Sequence, residues 1–150
     1  MKSNIFKILI SLSIVLVLII ISFMYFSWNK TVEIEKYSTD HEQYSAAIDK
    51  CQLSTGSILI KGWVLPKNKR AEGNISLGLM TNNKMILLPT FTFKRQDVSS
   101  HFSRSYEYDN VGFNSSLHNK NITKDINNII YIFVINSDGT YTEIYNHECK

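Results

Sequence analysis

Between residues 8 and 28 the chain lacks a single charged side chain. About 21 uncharged positions at 1.5 Å per residue cover a hydrocarbon core of about 30 Å. Cysteine and proline are scarce too: Cys51 and Cys149 are the only cysteines, Pro66 and Pro89 the only prolines. No cysteine precedes Cys51, which excludes a lipid-modified N-terminus made by cleavage at one. No Gly/Ser-rich or Pro-rich spacer follows the apolar run, so the rest of the chain is not held on a long flexible tether. A hydrolase nucleophile elbow, a phosphate-cradling Gly-rich loop, a zinc-protease helix motif and a Cys-x-x-Cys pair are all missing. So are internal repeats. The one basic cluster, Lys67, Lys69 and Arg70, follows Pro66 in an expected turn and reads as a solvated loop. The net charge of +3 includes Lys2 and Lys7, ahead of the apolar run, and the remainder is close to neutral. That balance disfavours nucleic acid as a partner.

What is present begins with the apolar run itself. Tyr25 and Trp28 mark its exit with amphipathic rings suited to the headgroup layer, and Lys30 follows. A cleaved secretory signal needs small residues before the cut, whereas Phe23, Met24, Tyr25 and Phe26 close this run, so an uncleaved anchor in the lipid bilayer is expected. The expected organisation is a cytoplasmic tail at 1–7, a transmembrane helix at 8–28, a polar connector at 29–44 and an extracytoplasmic domain at 45–150. The membrane is thus the inner or plasma membrane, crossed once. An even cysteine count suits an oxidising compartment. Paired, Cys51 and Cys149 close a loop of nearly 100 residues; unpaired, they are two separate thiols.

Residues 39–51 carry a mixed signal. Thr39 with Glu42 resembles a capping box, and Tyr44, Ala47, Ile48 and Cys51 fall at helical spacing. From Gly56 onward the pattern is β. Residues 57–65 and 75–81 read as short strands with turn residues behind them. Residues 84–94 alternate with Met85, Leu87, Pro89, Phe91 and Phe93 on one face, Pro89 suggesting an edge or a bulge. Residues 102–108 alternate too, placing Phe102, Arg104, Tyr106 and Tyr108 together. Residues 129–135 are continuously apolar, and Ser137-Asp138-Gly139 turns the chain into a return strand at 140–145. Strands recurring about every 10 residues without intervening helical periods predict one antiparallel immunoglobulin-like β-sandwich behind one transmembrane α-helix.

Several short pieces in order carry a resemblance: Ile48-Asp49, Leu59-Ile60-Lys61-Gly62-Trp63-Val64, Arg95-Gln96-Asp97-Val98 with Phe102, Val111-Gly112-Phe113, and Asp138-Gly139. Together they resemble the small β-sandwich module attached to bacterial membrane and cell-surface glycan-assembly proteins. The resemblance covers roughly residues 46–145 and implies a strand, not a helix, at 45–53. This chain departs from the pattern in having no attached transferase and in carrying Val64 where a small residue is common.

Each motif has a structural role that needs no ligand. Trp63 is expected to fill the sandwich core, with Gly62 allowing a close approach. Arg95 and Asp97 are expected to clamp a turn over Val98 and Phe102, and Gly112 to permit the bend that delivers Phe113 to the core. The histidines, His41, His101, His118 and His147, are scattered, and only His147 with Cys149 has ligand-like spacing, too few groups for a closed metal site. No cofactor or metal is expected. The expected function is a non-catalytic, membrane-anchored accessory protein of the bacterial envelope that binds a protein partner or a glycan, with Tyr106, Tyr108, Tyr141 and Tyr145 as a sugar-stacking surface. The alternatives are an enzyme or enzyme subunit using Arg95, Asp97 and His101 on envelope polysaccharide, and an immunity protein held at the envelope.

Overall fold

The computed structural model describes residues 2–67, 74–82, 84–102, 110–119 and 126–149. The chain divides into two compact units at Lys30 and Thr31. The first is one helix, α1 (Lys2–Trp28). Its Phe6–Trp28 stretch is long and apolar enough to cross a membrane. A helix apolar all round has no polar face to give to water, and the side chains from Phe6 to Trp28 are largely unburied by protein.

The second unit is mainly β, built as two sheets. Its strands are β1 (Val32–Ile34), β2 (Ser38–Thr39), β3 (Tyr44–Ser54), β4 (Ser57–Pro66), β5 (Asn74–Thr81), β6 (Lys84–Leu88), β7 (Thr90–Phe93), β8 (Gly112–Leu117), β9 (Ile126–Ile135) and β10 (Tyr141–Glu148), with a short helix α2 (Gln96–His101) between β7 and β8. One sheet runs β3-β4-β8-β7 and the other β1-β6-β5-β9-β10-β2. Among the described residues all pairings are antiparallel except that of β2 with β10.

Two-residue periodicity sorts the side chains. On β4, Ile58, Ile60 and Val64 enter the core between the sheets, where they meet Phe113 and Leu117 of β8, Leu77 and Leu79 of β5, and Ile130, Ile132 and Val134 of β9. Trp63 has the opposite parity. It lies on the outer face of the four-stranded sheet, in a satellite cluster with Leu65, Val98 and Val111, and is not part of the main core. The helical spacing at 39–51 yields to tertiary pairing: residues 44–54 form β3, a hairpin partner of β4.

The alternating stretch at 84–94 is two strands rather than one. Pro89, which lacks an N–H to donate, sits where the chain leaves one sheet and enters the other: β6 pairs with β5, and β7 pairs with β8. The strand expected at 102–108 is preceded by α2, and Phe102 closes that helix. Residues 103–109, including Tyr106 and Tyr108, lie outside the described residues.

The segment expected to serve only as a connector belongs to the domain. β1 adds to the edge at β6, and β2 adds to the opposite edge at β10. Only Glu35, Lys36 and Tyr37 join them. In a flat sheet of this order the two edges would stand about 24 Å apart, five spacings of about 4.8 Å. Four Cα steps reach only about 14 Å. The sheet is therefore strongly curled, and the short strap crosses its concave face. That face holds a second core of Ile34, Met85, Leu87 and Phe133, with Met80, Tyr131 and Tyr141 packed around it. Tyr37 of the strap meets the Phe133 ring edge-on at 5.2 Å. This second core accounts for the apolar character of both faces of β9.

Candidate functional site

An ion-paired cluster lies on the outer face of the four-stranded sheet. Ala47, Trp63, Gly112 and Phe93 are direct cross-strand neighbours on β3, β4, β8 and β7. A Cβ on Gly112 would collide with the Arg95 stem and the Phe93 ring. Gly112 therefore serves as a slot for the arginine; its φ is not positive, and no special bend is needed to deliver Phe113. Gly62 does the same on the inner face, where the Phe113 ring and the Ala47 carbonyl occupy its side-chain space.

Lying in this slot, Arg95 joins three separate pieces of chain. Its Nε donates to Asp97 Oδ1 at 2.8 Å and its Nη2 to Asp97 Oδ2 at 2.7 Å, a bidentate pair with the first turn of α2. Its Nη1 donates to Asp49 Oδ2. Asp49 sits at the β3 register shift between Ile48 and Lys50. A bulge re-aims a side chain out of the regular alternation. Hydrogen bonds to the charged forms then act in opposite directions on the two partners. The Asp97 carboxyl is lowered to about 2, chiefly by the bond from Arg95. Arg95 itself is raised, first by Asp97 and then by Asp49. Both groups stay charged at any physiological pH.

Beside this ion-paired group lies an open hollow of about 270 Å³ lined by Trp63, Arg95, Asp97, Val98, His101 and Phe102. Trp63 and Phe102 form an edge-to-face pair at 5.5 Å, and His101 stands edge-on to Phe102 at 5.1 Å. Arg95, Asp97 and His101 thus share one surface. Chemically, two carboxylates take three of the five guanidinium donors of Arg95, and the lining also carries the Asp97 carboxylate and the His101 imidazole, groups capable of acid–base chemistry.

The tyrosine surface is arranged differently from the expectation. Tyr141 packs on the second core, with its ring 6.5 Å from Phe133. A register shift between Glu143 and Tyr145 sends Tyr145 to the other side, against the core between the sheets. The two side chains therefore lie on opposite faces of one sheet. Sequence reading also passed over Glu143, a buried carboxylate 4% exposed. It accepts from His41 Nε2 and from Asn146 Nδ2, both at 3.1 Å, and its carbonyl accepts from Asp40 N at 2.8 Å. Burial first, then the Glu143 charge, pushes the Tyr37 hydroxyl above its ordinary pKa. Glu143 was hidden because parity alone places it in an ordinary half-exposed strand. Cys51 and Cys149 form a disulfide that ties β3 to the residue after β10. Among the described residues no group of three or more His, Cys, Asp or Glu is placed to hold a metal ion.

No family model, curated protein or solved structure matches this chain.

Proposed function

We propose that this chain is a single-pass, membrane-anchored accessory protein of the bacterial cell envelope, without catalysis of its own, whose extracytoplasmic domain binds a partner or a glycan. One observation carries the reading: an apolar helix of membrane-spanning length, Phe6–Trp28, gives way within a few residues to a folded β domain. The disulfide fits an oxidising compartment. For an immunoglobulin-like sandwich the support is strand order. β3-β4-β8-β7 follows the A-B-E-D order of such domains, and β5-β9-β10 follows C-F-G, with β6 placed as an added C′ edge. The polar cluster around Arg95 is an ion-paired clamp at the surface, with the Asp97 side chain 66% exposed, which supports a contact surface for recognition. The resemblance to the module of glycan-assembly proteins supports an accessory role in that setting.

Membrane fractionation with protease protection tests this. The full-length protein resists carbonate extraction, and external protease removes the β domain from spheroplasts while leaving the anchor in the membrane. Recovery of the intact chain in the soluble fraction, or a domain protected from external protease, overturns it.

A further inference from the structure

Deepening the accessory reading above and resting on its glycan branch, we propose that the hollow beside Trp63 holds a single sugar ring. Two features of the hollow point to a polyol. A guanidinium carries five N–H donors, and Arg95 uses three on Asp97 and Asp49. The other two are not engaged by Asp97 or Asp49. Each Asp97 oxygen takes one hydrogen bond from Arg95 and has further acceptor capacity, in a side chain 66% exposed. One planar pair therefore presents donors and acceptors side by side.

A sugar hydroxyl both donates and accepts, so it matches both halves of that pair. Ions and apolar groups match only one half, and a peptide amide, which matches both, lacks the C–H ring face that the aromatic wall would take. An anion meets Asp97 and Asp49, whose two charges outnumber the one on Arg95; a cation meets the other guanidinium donors; an apolar side chain buries donors without satisfying them. Trp63, Val98 and Phe102 supply the apolar wall that the C–H face of a sugar ring needs. At about 270 Å³ the hollow is just below the range of drug-sized sites, about 300–1,000 Å³, and suits one ring better than a chain of them.

The test is saturation-transfer NMR on the full-length protein in a zwitterionic detergent without a sugar headgroup. The probes are the methyl glycosides of glucose, galactose and N-acetylglucosamine, with inorganic phosphate and n-butylammonium as competitors. At least one glycoside receives saturation on its ring C–H protons and is displaced by neither competitor. Phe102→Ala, at a position 38% exposed, weakens that binding about 3- to 10-fold, and Asp97→Asn weakens it as well, both with the β fold retained by circular dichroism. The proposal is overturned if no glycoside receives saturation at tens of millimolar, if Phe102→Ala leaves the signal unchanged, or if phosphate or butylammonium displaces the sugar. Failure here leaves the accessory reading standing on fractionation and protease protection, which are read on separate samples.

Discussion

Arg95 shows how much one side chain can organise when a glycine makes room for it. Its stem lies over Gly112 and its head joins Asp49 of β3 to Asp97 of α2. The Arg-x-Asp spacing is visible in the sequence because both ends lie two residues apart. Asp49 lies 46 residues away, and its position depends on a bulge that no local pattern announces. Because folding depresses the Asp97 carboxyl to about 2, the sign of its pH dependence is determined. A depressed carboxyl contributes stability that is in place above its ordinary range near pH 4 and is lost as pH falls towards 2. Asp138, lowered by its hydrogen bonds with Thr140, adds a background in the same direction. Melting temperature measured from pH 5 to pH 2 therefore falls less steeply in Asp97→Asn than in the unmodified protein. Parallel curves would show that the ion pair carries no linkage.

At the scale of elements, strands change their meaning when tertiary pairing decides which sheet they join. Pro89 reads as a local irregularity, yet it is the corner at which β6 and β7 part into different sheets. The continuous apolar run at β9 reads as one face too many, and the surplus face is the floor of a second core. The strap from β1 to β2 covers that floor. It is fastened by the pairing of Ser38 and Thr39 with β10, by Ser38 Oγ and Thr142 Oγ1 at 2.9 Å, and by His41 on Glu143. Tyr37 is the strap's aromatic contact with Phe133. Tyr37→Ala loses an edge-to-face pair and its apolar contact, a cost of about 1–2 kcal/mol. Denaturant unfolding measures the loss, and hydrogen exchange shows faster opening at the β9–β10 pairing. Unchanged stability would mean that the strap merely rests on the sheet.

Across the whole domain, one covalent link joins the two sheets. Cys51 belongs to the edge strand β3, and Cys149, 7% exposed, follows β10 in the other sheet. Their separation of 98 residues closes nearly the whole domain, and the chain-entropy model assigns such a loop about 4–5 kcal/mol. Replacing both cysteines by serine, or reducing the disulfide, therefore lowers the unfolding free energy by about that amount. Equal denaturation midpoints for the oxidised and reduced protein would contradict it. The hydrophobic core between the sheets is made of residues from both, so its side chains remain the main source of folding free energy.

The sequence by itself determined a membrane-length apolar helix, a β-rich remainder and most strand positions. These follow from length, charge and two-residue periodicity, which are local properties. Only the tertiary structure decided that residues 32–39 belong to the domain, that Trp63 faces outward, that Tyr141 and Tyr145 part company, and that Gly112 makes room for Arg95. Each of those depends on register, on a bulge or on curvature. A shift of one residue in pairing reverses every side chain that follows it, and that shift comes from partners far away in the chain.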